Sequence, residues 1–135
     1  MEKPILLVED DRVDAMTVKR ALRDIQFTGK LDHVENGEEA LAFLRDPKNA
    51  RPSIILLDLN MPRMNGVEFL RVAKQDETLR QIPVIVLTTS EEDHDRFATF
   101  DLSVAGYMIK PVDYLQFVEI IRVVSKYWQE SELPE

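Results

Sequence analysis

Ile54-Ile55-Leu56-Leu57-Asp58 is the stretch on which the fold turns. Four consecutive apolar residues leave no face for water. A strand with one wet face alternates apolar and polar residues, whereas a continuous branched run suits a strand buried on both faces of a parallel sheet. Two further runs share this character, Ile5 to Val8 and Val84 to Leu87. Weaker strand candidates run from Lys30 to Val34 and from Ala105 to Ile109. Amphipathic stretches of helical period lie between them: Val13 to Ile25, Glu38 to Leu44 after the Asn36-Gly37 turn, Gly66 to Lys74 after the Met61-Pro62 break, and Glu91 to Asp101. The longest runs from Asp113, its N-cap, to Gln129. Strand and helix alternate five times. The sequence therefore predicts an α/β fold, a doubly wound parallel sheet of five strands with helices on both faces.

The composition fits one such domain over residues 1–135. Apolar residues are 44% and charged residues 31%, a globular balance. Seventeen Lys and Arg against 25 Asp and Glu leave a formal charge of −8. That weighs against nucleic-acid binding, which needs a basic face to displace counterions, and against an anionic membrane surface. The absence of cysteine excludes disulfides, thiolate metal sites and cysteine nucleophiles. The apolar run behind Met1-Glu2-Lys3-Pro4 ends at Glu9, too soon for a signal peptide. No stretch approaches the ~20 apolar residues of a membrane span. The expected setting is cytoplasmic, with no nucleic-acid or membrane partner.

Open parallel sheets bind ligands beyond the carboxyl ends of their strands. Those ends carry Glu9-Asp10-Asp11, Asp58-Leu59-Asn60, Thr88-Thr89-Ser90 and Lys110-Pro111. Clustered carboxylates repel one another unless positive charge is near. Oxygen donors without His or Cys suggest Mg²⁺, Lys110 adds a positive charge, and Thr88 adds a hydroxyl. Such a set suits a small charged oxyanion, because phosphoryl transfer is mostly positioning and charge stabilisation. A carboxylate can itself be the nucleophile and form an aspartyl phosphate. Taken singly, each residue has a plainer reading: a helix cap for Glu9, Asp10 or Asp11, a turn residue for Asp58, a β-former for Thr88, a solvated Lys110. Their joint placement at four strand ends favours a site. His33 and His94 stand in polar contexts and read as surface residues.

With these residues in view, the chain resembles the receiver domains of two-component response regulators from Ile5 to about Trp128. The motifs are Ile5-Leu-Leu-Val-Glu-Asp-Asp11, Asn36-Gly-Glu-Glu-Ala-Leu41, Ile55-Leu-Leu-Asp-Leu-Asn-Met-Pro62, Met64-Asn-Gly66, Ile82-Pro-Val-Ile-Val-Leu-Thr88 and Gly106-Tyr-Met-Ile-Lys-Pro111. The resemblance implies a flavodoxin-like fold with strand order 2-1-3-4-5 and five helices. It implies Asp58 as phosphoacceptor, with Mg²⁺ held by Asp10, Asp58 and the backbone carbonyl of Asn60, and by Glu9 through water. Thr88 and Lys110 would bind the phosphoryl group, and Thr88 and Tyr107 would form the switch. Asn60 and Ser90 would tune phosphate lifetime, and the Lys110–Pro111 bond would be cis. Glu9 and Thr89 depart mildly from the commonest residues of the family, and Thr89 would crowd the phosphoryl entrance.

Only Ser131 to Glu135 follow the last helix, so a stand-alone receiver is expected, not a turnover enzyme. Its output would be a binding event with a downstream protein. The last helix is apolar over a wider arc than core packing needs. Phe117, Ile120, Val123, Val124 and Tyr127 are candidates for a homodimer interface, against the plainer reading of a broad core with surface aromatics. The Thr88-Thr-Ser90-Glu-Glu-Asp93 run and the Leu133-Pro134 tail resemble receivers paired with bacterial phytochromes, which makes a light-sensing histidine kinase the expected partner. Three alternatives stand beside this: a chemotaxis-type monomer binding a motor or adaptor, a phosphorylation-independent adaptor, and a phosphatase of the haloacid dehalogenase class. The last wants a second Asp where Asn60 stands.

Overall fold

A computed structural model describes residues 3–59, 61, 63–88 and 104–130, apart from the side chains of Thr88 and Glu130. Five strands, β1 Ile5–Val8, β2 Leu31–Val34, β3 Ile54–Asp58, β4 Val84–Thr88 and β5 Gly106–Ile109, form one parallel sheet in the order β2-β1-β3-β4-β5. The described helices are α1 Arg12–Asp24, α2 Gly37–Arg45, α3 Gly66–Gln75 and α4 Tyr114–Glu130. The helix expected over Glu91 to Asp101 lies outside the described residues, so four of the five expected helices are described. No described helix is long and apolar enough to cross a membrane.

The continuous apolar runs are buried on both faces, as their composition requires. Successive side chains of a strand point to opposite faces. Leu6, Val8, Ile55 and Leu57 join Phe69 and Leu70 in one core, under α2 and α3. Ile5, Leu7, Ile54 and Leu56 join Val18, Leu22, Phe117 and Ile121 in the other, under α1 and α4. Each such side chain contributes about 1.5–3 kcal/mol on burial. These two layers hold the strand ends rigid.

The wide apolar arc of α4 resolves into parts. Phe117 (3% exposed), Val118 and Ile121 are buried, and Tyr114, Val124 and Trp128 pack against the same core. Phe117 therefore drops out of the candidate interface, because its ring lies inside the domain. Val124 is half-buried against the core, and Ile120 is half-buried too. Val123 and Tyr127 remain exposed, at 63% and 64%. Asp113 caps the helix as expected, its Oδ1 accepting from Leu115 N at 2.9 Å.

The loop after Asp58 is clamped from both sides. Gly66 N donates to Leu59 O at 3.0 Å and Gly37 N to Met64 O at 2.9 Å. A Cβ on Gly66 would lie 2.7 Å from Asp58 O, and one on Gly37 would lie 2.7 Å from Met64 O, so neither helix start has room for a side chain. Within the loop, Arg63 and Met64 adopt φ of 59° and 66°, a conformation that non-glycine residues keep only where surroundings enforce it. The Lys110–Pro111 bond departs from expectation: no described peptide bond is cis. Trans is the lower-energy isomer of an X–Pro bond by about 0.5–1 kcal/mol.

Candidate functional site

The sheet register brings three strand ends together. Val8 pairs with Leu57, so Glu9 and Asp58 stand at matching positions one step beyond that pair. Strand order reverses between β1 and β3, where such sheets open a crevice. One carboxylate oxygen each of Glu9, Asp10 and Asp58 lies within 4.8 Å of the other two. Glu9 is buried (1% exposed), while Asp10 and Asp58 are half-buried and reachable.

A buried carboxylate must be paired or hydrogen-bonded. Glu9 has both: Lys110 Nζ donates to Oε1 at 2.8 Å, and Asp11 N donates to Oε2 at 3.3 Å. Lys110 arrives from the end of β5, only 10% of its side chain exposed. Burial pushes its ammonium toward deprotonation, but the Glu9 hydrogen bond and the charges of Glu9, Asp14 and Asp58 outweigh this and hold its pKa above the ordinary 10.5. Lys110 thus stays charged inside an acidic cluster. The trio of oxygen donors without His or Cys fits a hard divalent cation, which their mutual repulsion invites.

The other expected residues divide as follows. Asp11 takes the plain reading: it is the N-cap of α1, its Oδ1 accepting from Asp14 N at 3.0 Å. Thr88 ends β4 beside Ile109 of β5, on the same rim. Tyr107 lies on the edge strand, 41% exposed. Asn60, Thr89, Ser90 and His94 lie outside the described residues.

Two participants escaped the sequence reading. His33, which its polar context places at the surface, is instead half-buried on β2, and its Nε2 lies 2.8 Å from Glu9 O. A carbonyl only accepts, so the Nε2 tautomer donates and braces the backbone of the buried acid. Asp14 Oδ2 sits 3.4 Å from Lys110 Nζ. Beside that contact opens a groove of about 400 Å³, walled by Asp14, Arg20, Lys110, Val112 and Tyr114. Arg20 stacks 4.2 Å above the Tyr114 ring, whose hydroxyl donates to Asp24 at 2.6 Å.

The family model described as the response regulator receiver domain matches residues 5–122. The probable methanogenesis regulatory protein FilR2 of Methanothrix harundinacea is 38% identical over 127 residues, covering 92% of this chain and 82% of its own. The response regulator Rcp1 of Synechocystis is 35% identical over 133 residues, covering 96% and 90%. Among solved structures, the phosphorylated cyanobacterial phytochrome response regulator RcpA superposes over 100% of both chains at a TM-score of 0.88 and 36% identity. The Mn²⁺-bound form of Rcp1 superposes over 98% of this chain and 99% of its own, at 0.85 and 36%.

Proposed function

From the premise that this chain belongs to the response regulator receiver family, a signalling family whose members sensor histidine kinases phosphorylate, we propose that Asp58 is its phosphoacceptor. The observation that carries this is the convergence of Glu9, Asp10 and Asp58 within 4.8 Å, with Lys110 paired to Glu9 beside them. An Asp58 carboxylate oxygen attacks the phosphorus of a phosphohistidine. The new O–P bond forms as the N–P bond breaks, and the imidazole nitrogen leaves with the electron pair. Lys110 and the Thr88 hydroxyl then hold phosphoryl oxygens, and the Thr88–Tyr107 pair relays the change. Asp10, Asp58 and the Asn60 carbonyl would hold Mg²⁺, with Glu9 reaching it through water; the ion supplies positive charge for the phosphoryl oxygens. Asn60 and Ser90 tune how long the phosphate lasts.

The phosphoryl donor in this reading is a phytochrome-type light-sensing kinase. Its support is the likeness to RcpA and Rcp1, over nearly the whole of both chains. The output is phosphorylation-dependent protein binding, including a homodimer through the exposed side of α4. Val123 and Tyr127 on that side, with Ile120 beside them, support the dimer.

Incubation with Mg²⁺ and acetyl phosphate, followed by intact mass, tests the acceptor. Wild type should gain one phosphoryl group and Asp58→Asn none. Equal labelling of the two would refute the assignment.

A further inference from the structure

The third residue of α1, α2 and α3 is acidic, and in two of these helices that acid folds back onto its own chain. In α3, Glu68 Oε1 accepts from Asn65 N at 3.2 Å. In α2, Glu39 Oε1 accepts from Glu35 N at 3.0 Å. In α1 the corresponding acid is Asp14, and the N-cap N–H it would satisfy, that of Asp11, is bonded instead to Glu9 Oε2. Asp14 turns the other way, across 96 positions of sequence, to Lys110 Nζ at 3.4 Å. Its backbone cannot drift from that placement, because Asp14 N is fixed by the Asp11 cap at 3.0 Å.

We propose that Asp14 is a positioning residue that holds the Lys110 ammonium on the α1 side of the site, so that Lys110 must leave two carboxylates rather than one to reach a phosphoryl group on Asp58. The inference rests on the receiver reading above. An ammonium has three donors. Glu9 takes one at 2.8 Å and Asp14 another at 3.4 Å, so a strong anion arriving at Asp58 competes with both. The Glu9 partner is buried, but the Asp14 side chain is 38% exposed and borders the open groove. The Asp14 contact is therefore the weaker and more adjustable of the two. Asp14 sets how readily the lysine is surrendered to phosphate while leaving the phosphoacceptor and the cation ligands untouched.

Beryllofluoride, a phosphoryl mimic that does not hydrolyse, measures this directly in the presence of Mg²⁺. The expected result is that Asp14→Asn binds it roughly two- to fivefold more tightly than wild type, the range of one partly exposed charge pair. Asp14→Glu should restore the wild-type affinity. Asp11→Asn removes a charge of equal sign nearby and keeps a competent cap, so it controls for charge acting through space and should leave affinity unchanged. In a Lys110→Met background, Asp14→Asn should change neither beryllofluoride affinity nor, if that is too weak to read, the affinity for Mg²⁺ alone. Equal affinity of wild type and Asp14→Asn, an equal gain in Asp11→Asn, or an undiminished Asp14 effect without Lys110 would each overturn the proposal. Failure of wild type to bind beryllofluoride at all would instead overturn the receiver reading beneath it.

Discussion

Three carboxylates facing one ammonium leave an excess of negative charge at the centre of the site, and the protein holds that excess at a cost. Two like charges about 4 Å apart repel by roughly 1 kcal/mol in water and roughly 4 kcal/mol at an effective dielectric of 20. Asp10→Asn should therefore raise cation-free stability in urea by about 1 kcal/mol, while losing the rise in melting temperature that Mg²⁺ gives wild type. A metal-free variant less stable than wild type would count against the clustering. Tyr114 gives a second residue-scale prediction. Burial first, then its hydrogen bond to Asp24, hold the phenol above its ordinary pKa of 10.0. A proton held more tightly in the folded state stabilises fully below pH 10.0, and that contribution fades as pH climbs through the raised value. The ultraviolet difference titration of wild type against Tyr114→Phe should show one tyrosinate whose midpoint lies above pH 10.0. At this scale the sequence was legible where chemistry sat at strand ends: Glu9, Asp10, Asp58 and Lys110. Asp14 and His33 were not legible, because their meaning lies in partners 96 and 24 positions away, and no local spacing encodes such contacts.

The elements themselves were legible almost to the residue. Each described strand and helix ends within one residue of its sequence expectation, because continuous apolar runs and Asx caps at Asp11, Asn36 and Asn65 mark their limits physically. The sequence left undecided how α4 divides its apolar arc, since periodicity says which residues share a face but not how much of that face a neighbour covers. The Asn36-Gly37 turn and the Met61-Pro62 break were visible in the sequence, whereas the clamping of the loop behind Asp58 by Gly37 and Gly66 required the fold. Gly66→Ala tests that clamp. Its Cβ would press on Asp58 O at 2.7 Å and Leu59 Cα at 2.8 Å, both backbone. The variant should lose about 1–3 kcal/mol, the usual cost of overpacking, and should bind beryllofluoride more weakly, because the strained loop follows directly on Asp58. Unchanged melting and binding would show that the loop yields freely.

For the whole molecule, the first and last described segments meet away from the site. Lys3 N donates to Gln129 Oε1 at 2.6 Å, and Lys3 Nζ donates to Trp128 O at 3.1 Å, which ties the entry to β1 onto the last turn of α4. With α4 anchored there and packed on the core through Phe117 and Ile121, its exposed side is a fixed surface. Sedimentation across a concentration series should show wild type associating and Val123→Glu remaining monomeric; a monomer at every concentration in both would end the dimer proposal. A receiver built on this site takes phosphate at one carboxylate among three. Borohydride reduction of the acyl phosphate, followed by peptide mapping, reads that carboxylate directly. After acetyl phosphate and Mg²⁺, homoserine should appear at position 58 alone and vanish when Mg²⁺ is chelated. Homoserine at position 10 or 14, or at position 58 irrespective of the cation, would contradict it.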